Sequence, residues 1–171
     1  MKKLFKKLCK GTKWIGLAKD GYLVFDARMV VRTDLLDAAK IDYQSMITNS
    51  DIAGFMEIWN SYFEEKDPER YLYYNVYVYD VPSYGEEKLF GYFETPVYEV
   101  KVNEKTLYLN KLHIDFMEKL LKKKNVNRKV YYFDYAYRTQ YTDEIVKDYF
   151  YVLVYEDVNG DILGATTGFK E

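Results

Sequence analysis

The stretch Tyr71-Leu72-Tyr73-Tyr74-Asn75-Val76-Tyr77-Val78-Tyr79 decides how this chain is read. Side chains alternate across a strand, so one face carries Tyr71, Tyr73, Asn75, Tyr77 and Tyr79. The other carries Leu72, Tyr74, Val76 and Val78. Aromatic and β-branched residues favour the pleated surface, and nothing in the run breaks it. Working outward, 17 of the 20 tyrosines fall at or after Tyr71, mostly in similar alternating runs. Tyrosine combines large contact area, few rotatable bonds and a hydroxyl. A sheet with a phenol-rich face therefore suits contact with another macromolecule.

Around this strand the pattern predicts a single α+β domain: a mainly antiparallel, tyrosine-rich sheet packed against about three helices. A short strand at Tyr22–Phe25 opens the body. One helix follows Thr33 or Asp34, with Leu35, Leu36, Ala39, Tyr43, Met46 and Ile47 at helical spacing. A second follows Asn49 or Ser50, with Ile52, Phe55, Met56, Trp59, Tyr62 and Phe63 on one stripe, and stops at Asp67-Pro68. After the strand at 71–81, two more are expected at Leu89–Phe93 and Val97–Val102. Asn110 then caps a third helix bearing Leu112, Phe116, Met117, Leu120 and Leu121 inward. Three final strands are expected at Val130–Arg138, Tyr149–Glu156 and Ile162–Thr167. Val158-Asn159-Gly160 joins the last two as a hairpin. The order is (β)ααβββαβββ.

A chain of 171 residues with 49% hydrophobic and 30% charged residues can bury a core without staples. The single cysteine, Cys9, excludes an internal disulfide. No stretch approaches the ~20 apolar residues of a membrane span. The formal net charge of −2 hides an asymmetry. Residues 1–19 hold seven lysines and no acid, leaving 18 basic and 27 acidic side chains for residues 20–171. The division reads as a basic N-terminal arm (1–19) on an acidic domain (20–171). Lys2–Lys10 has the spacing of a short amphipathic helix with Leu4, Phe5 and Leu8 on one side. Lys2, Lys3, Lys6, Lys7, Lys10 and Lys13 are candidate phosphate contacts. So short an apolar face would hold an anionic membrane weakly, and peripheral membrane contact is not expected.

Catalytic signatures are sparse. His113 is the only histidine, which rules out a multi-imidazole zinc site and a two-histidine relay. Cys9 stands among lysines that could lower its pKa. No phosphate loop or dinucleotide fingerprint is present, and no metal or other cofactor is expected. Asp157-Val158-Asn159-Gly160-Asp161 has a calcium-loop look, but the twelfth position is Gly168 where a bidentate glutamate belongs.

Tyr98-Glu99-Val100-Lys101-Val102 places Glu99 and Lys101 on one strand face. It resembles the E-x-K half of the PD-(D/E)xK nuclease motif, and the local order from Ser50 to Arg138 is similar to that family's core. The resemblance implies a divalent-metal-dependent nuclease with Asp80, Glu99 and Lys101 as its site. The chain departs from the family at the metal-binding aspartate, which Leu89–Phe93 does not supply.

The leading expectation is therefore a non-enzymatic interaction module. Its binding residues are Tyr71, Tyr73, Tyr77 and Tyr79, and its partner is another protein or a second copy. Compact size and an AT-rich-genome composition point to a phage or mobile-element accessory protein, a virion subunit or an inhibitor of a host system. Such a protein would be cytoplasmic or part of the virion. The alternatives are nucleic-acid binding through residues 1–19 and the degenerate nuclease.

Overall fold

The computed structural model describes residues 1–171. In chain order its elements are α1 (Lys2–Lys10), β1 (Ile15–Ala18), β2 (Tyr22–Phe25), β3 (Met29–Arg32), α2 (Thr33–Ala38), β4 (Asn49–Ile52), α3 (Phe55–Ser61) and β5 (Tyr71–Asp80). There follow β6 (Glu87–Phe90), β7 (Thr95–Val102), β8 (Lys105–Asn110), α4 (Lys111–Leu120), β9 (Asn127–Arg138), β10 (Ile145–Glu156) and β11 (Ile162–Phe169). All strands join one sheet, in the order β4-β1-β2-β3-β11-β10-β9-β5. Every pairing is antiparallel except β1 with β4. At β11 the sheet forks: Gly164–Thr166 pair with β3, while Gly168 and Phe169 pair with β8. From there β8, β7 and β6 form a second arm.

Two apolar clusters cover the two sides of the sheet. The larger joins Val130 of β9 and Tyr151, Leu153 and Tyr155 of β10 to Val100, Val102, Leu107 and Leu109 of the second arm. Phe5 and Leu8 of α1 and Ile114, Phe116 and Met117 of α4 complete it. The smaller lies on the opposite face, where Trp59 of α3 meets Phe133, Val152 and Val154. Each such buried side chain contributes about 1.5–3 kcal/mol of transfer free energy. Gly168 permits the closest approach. A Cβ there would stand 1.8 Å from Cε2 of Tyr151, whose hydroxyl donates to the Phe169 carbonyl and accepts from Tyr108 N at 2.9 Å.

The α+β class and the rough element order are as expected, and several boundaries move. The first helix ends at Ala38 and does not run on to Ile47. Lys40 adopts a left-handed φ of 56°, and Ile41 N donates back to Leu36 O at 3.0 Å. This helix-terminating motif keeps Ile41 and Tyr43 in the core off the helix. Asn49–Ile52, expected to begin the second helix, is β4 alongside β1. The cap of α3 comes instead from Asp20, whose Oδ1 and Oδ2 accept from Phe55 N at 2.9 Å and Met56 N at 2.8 Å. The third helix starts as expected: Asn110 Oδ1 accepts from Leu112 N at 3.0 Å and His113 N at 3.3 Å. The 157–161 hairpin is also present. There Asp157 Oδ1 accepts from Asn159 N and Asp161 N at 2.9 Å each, and Gly160 takes a φ of 82°.

Residues 1–19 are part of this fold, correcting the reading of a separate arm. Phe5 and Leu8 are 3% and 1% exposed, Ile15 is buried, and β1 pairs with β2. The lysines hid this, because nine residues bearing five of them look like a solvated tail. Their apolar stripe nonetheless packs on the core, with Phe5 and Leu8 buried and Leu4 half-buried.

Candidate functional site

The strand that decided the sequence reading lies at an edge. β5 pairs only with β9, and no other backbone hydrogen bond involves residues 72–80. The other free edges, β4 and β6, have four residues each and carry Asp51, or Glu87 and Lys88. β5 has ten residues and one charge, Asp80, at its end. Short strands and charges normally protect sheet edges from foreign strands, and β5 has neither defence. Leu72, Tyr77 and Val78 are 44%, 44% and 50% exposed along it.

The register alters the expected tyrosine face. Tyr71 pairs with Tyr137 and Tyr73 with Ala136, so a bulge falls at Leu72. Tyr71 thereby moves to the opposite face, where its ring lies 5.9 Å from that of Tyr74 and 6.3 Å from that of Tyr135. Tyr73, Tyr77 and Tyr79 remain together, beside Tyr132 of β9 and Tyr149 of β10. Tyr132 stacks with Tyr149 at 5.5 Å and 10° and with Tyr151 at 6.0 Å and 4°. Lys105 Nζ stands 4.5 Å over the Tyr132 ring and Lys170 Nζ 5.4 Å over that of Tyr149.

Hydroxyl partners divide the tyrosines into two kinds. Tyr22 donates to Ile162 O at 2.7 Å, Tyr131 to Glu156 at 2.7 Å and Tyr98 to Asp115 at 2.5 Å. Tyr84 donates to Glu118 at 2.5 Å, lies 3.0 Å from the Tyr155 hydroxyl, and is held well above the ordinary phenol range by burial and that carboxylate. These hold the fold. Tyr73, Tyr77, Tyr79, Tyr132 and Tyr149, on one face of the sheet, make no hydroxyl hydrogen bond within the protein, and neither do Tyr71, Tyr74 and Tyr137 on the other. A further aromatic pair went unrecognised in the sequence. Tyr92 and Phe93, expected inside a strand, sit 94% and 88% exposed in the β6–β7 turn, because Gly91 takes a φ of 74° and ends β6.

The lysines form a second surface. Lys2, Lys3, Lys6, Lys7 and Lys10 of α1 are all exposed, as is Lys13. α1 packs on α4, with Phe5 5.9 Å from Phe116, and the Met1 amino group lies against Lys119. The start of α1 therefore lies beside Lys119, and the exposed run Lys122–Lys124 follows just past the end of α4.

The nuclease residues are only partly assembled. Glu99 and Lys101 line one polar cleft with Ser83 and Glu86, and Lys88 pairs with the largely buried Glu99 carboxylate. Asp80 lies outside that cleft, opposite Lys129 on the β9 ladder. No group of three His, Cys, Asp or Glu side chains converges closely enough to hold a metal ion. His113 is 9% exposed, its Nδ1 lies 2.8 Å from Thr166 Oγ1, and burial followed by the charge of Arg28 pushes its pKa down to about 4. Cys9 reverses the expectation of an activated thiol, since desolvation against the core pushes it up to about 11. An apolar groove of about 250 Å³ also lies beneath α3, between Trp59, Phe150 and Ile52.

No helix is long and apolar enough to cross a membrane. No protein-family model, curated protein or solved structure matches the chain.

Proposed function

We propose that this chain is a non-enzymatic interaction module that binds another protein by accepting an extended segment along β5. The observation that carries the reading is the edge itself: ten residues, one terminal charge and an unused row of backbone donors and acceptors. Strand addition draws its affinity from the backbone ladder and its selectivity from alternate side chains. Here Tyr73, Tyr77 and Tyr79 would meet one face of the incoming segment, and Val76 and Val78 the other. Free phenol hydroxyls offer it hydrogen bonds that no group of the fold already takes.

The test is capture from lysate of the cells that make the protein, comparing wild type with Tyr77→Lys/Val78→Lys. Both side chains are about half exposed, so the double variant keeps the core while placing a charge on each face of the edge. Loss of a stoichiometric, nuclease-resistant partner in the variant is the expected result. Equal capture by both proteins rejects β5 as the binding edge. A second copy recovered as the partner would make the module a homo-oligomer.

A further inference from the structure

We infer that α1 and the carboxyl-terminal end of α4 form a second binding surface, for the phosphodiester backbone of duplex nucleic acid. The five lysines of α1 are exposed beside α4, the start of α1 lies against Lys119, and the exposed Lys122–Lys124 follow just past the end of α4. None of them is used in the seven ion pairs of the fold. The acids nearest in sequence are already engaged. Glu118 holds Arg128 at 2.6 Å and Asp115 holds Lys111 at 2.5 Å. The Met1 amino group lies against Lys119, and that neighbouring cation, followed by desolvation, keeps it below its ordinary pKa. A surface of unpaired like charges is relieved by a polyanion, and the acidic remainder of the chain would keep that polyanion to this side.

Three features select the occupant. At 100° per residue, Lys2, Lys3, Lys6, Lys7 and Lys10 fall within about 140° of the helix circumference, a single stripe along about 13 Å of axis. The apolar residues of α1 face inward, with Phe5 and Leu8 buried and Leu4 half-buried, so none is free to enter a bilayer. Neither α1 nor residues 119–125 expose an aromatic ring on which an unpaired base could stack. Charge without insertion or stacking is the chemistry of contact with a duplex backbone, which is sequence-tolerant and dependent on salt. This surface is separate from β5, so a β5 variant should leave it intact.

The experiment is fluorescence-anisotropy titration of the full chain with a 20-base-pair duplex of arbitrary sequence, from 50 to 200 mM salt. If about five lysines engage phosphates, log K falls against log salt with a slope of about −4.5, a loss of about 500-fold across that range. Lys3→Gln/Lys6→Gln/Lys10→Gln should bring the slope to about −2, with unchanged circular dichroism showing that α1 remains docked. The Tyr77→Lys/Val78→Lys variant should bind as wild type. No binding at 50 mM salt overturns the inference. Tighter binding to the corresponding single strand, or to anionic phosphatidylserine vesicles in preference to the duplex, overturns it as well.

Discussion

Replacing Phe5 with alanine asks whether the lysine-rich first segment is structural. Phe5 is 3% exposed, edge-on to Phe25 at 6.3 Å and 83°, and 5.9 Å from Phe116. Removing a buried phenyl ring costs ~3–5 kcal/mol, from lost transfer free energy and the cavity left behind. Here α1 can also respond by detaching, which caps the loss at its docking free energy and exposes Phe25 and Phe116 instead. A nine-residue helix is not stable alone in water, so detachment would also remove its helical signal. The expected loss is therefore about 3 kcal/mol, with reduced helical circular dichroism. At an m-value of ~2 kcal/mol per molar urea, the unfolding midpoint drops by about 1.5 M. Lys6→Ala, on the exposed side of the same helix, should stay within ~0.5 kcal/mol of wild type. A Phe5→Ala midpoint indistinguishable from that of Lys6→Ala would refute the docked helix and restore the free arm.

Gly168→Ala places a methyl group against the Tyr151 ring, which backbone groups of Tyr108 and Phe169 hold in place. It should cost at least ~1–3 kcal/mol in urea denaturation, and a neutral result would mean that the β11–β8 junction is looser than described. His113 is neutral in the fold until about pH 4 and protonates near its ordinary 6.5 when unfolded. Its contribution is therefore fully present above pH 6.5 and is lost as pH falls toward 4, amounting to ~3 kcal/mol over that interval. As the only histidine, it can be followed by its imidazole NMR signals; a midpoint near 6.5 would contradict the buried, Thr166-bonded ring.

Local patterns were legible where local physics decides. Asn110 capped α4, Asn159-Gly160 turned the last hairpin, and the alternation in 71–79 made a strand. Misreadings arose where a distant residue decides. The cap of α3 is Asp20, 35 residues earlier in the chain, so Asn49 and Ser50 stood in for it plausibly and wrongly. Tyr43 and Ile47 matched helical spacing, but Lys40 turned the chain before them. β8 was missed because its hairpin loop is Asn103-Glu104, at φ 48° and 70°, rather than the usual asparagine-glycine.

The candidate surfaces follow the same division. That tyrosine would crowd one side of the sheet was legible. That β5 would lie at the edge, or that a bulge at Leu72 would turn Tyr71 away, was not, because strand order and register depend on the whole sheet. That the start of α1 lies beside Lys119 likewise depended on the packing of Phe5 on Phe116.

The most direct test of strand addition is amide hydrogen–deuterium exchange across β5, on the isolated chain and on its captured complex. The outward amides of residues 72–80 should exchange readily when free and become strongly protected in the complex. Protection confined to α1 and α4, with β5 unchanged, would show that the partner is held elsewhere and contradict the account.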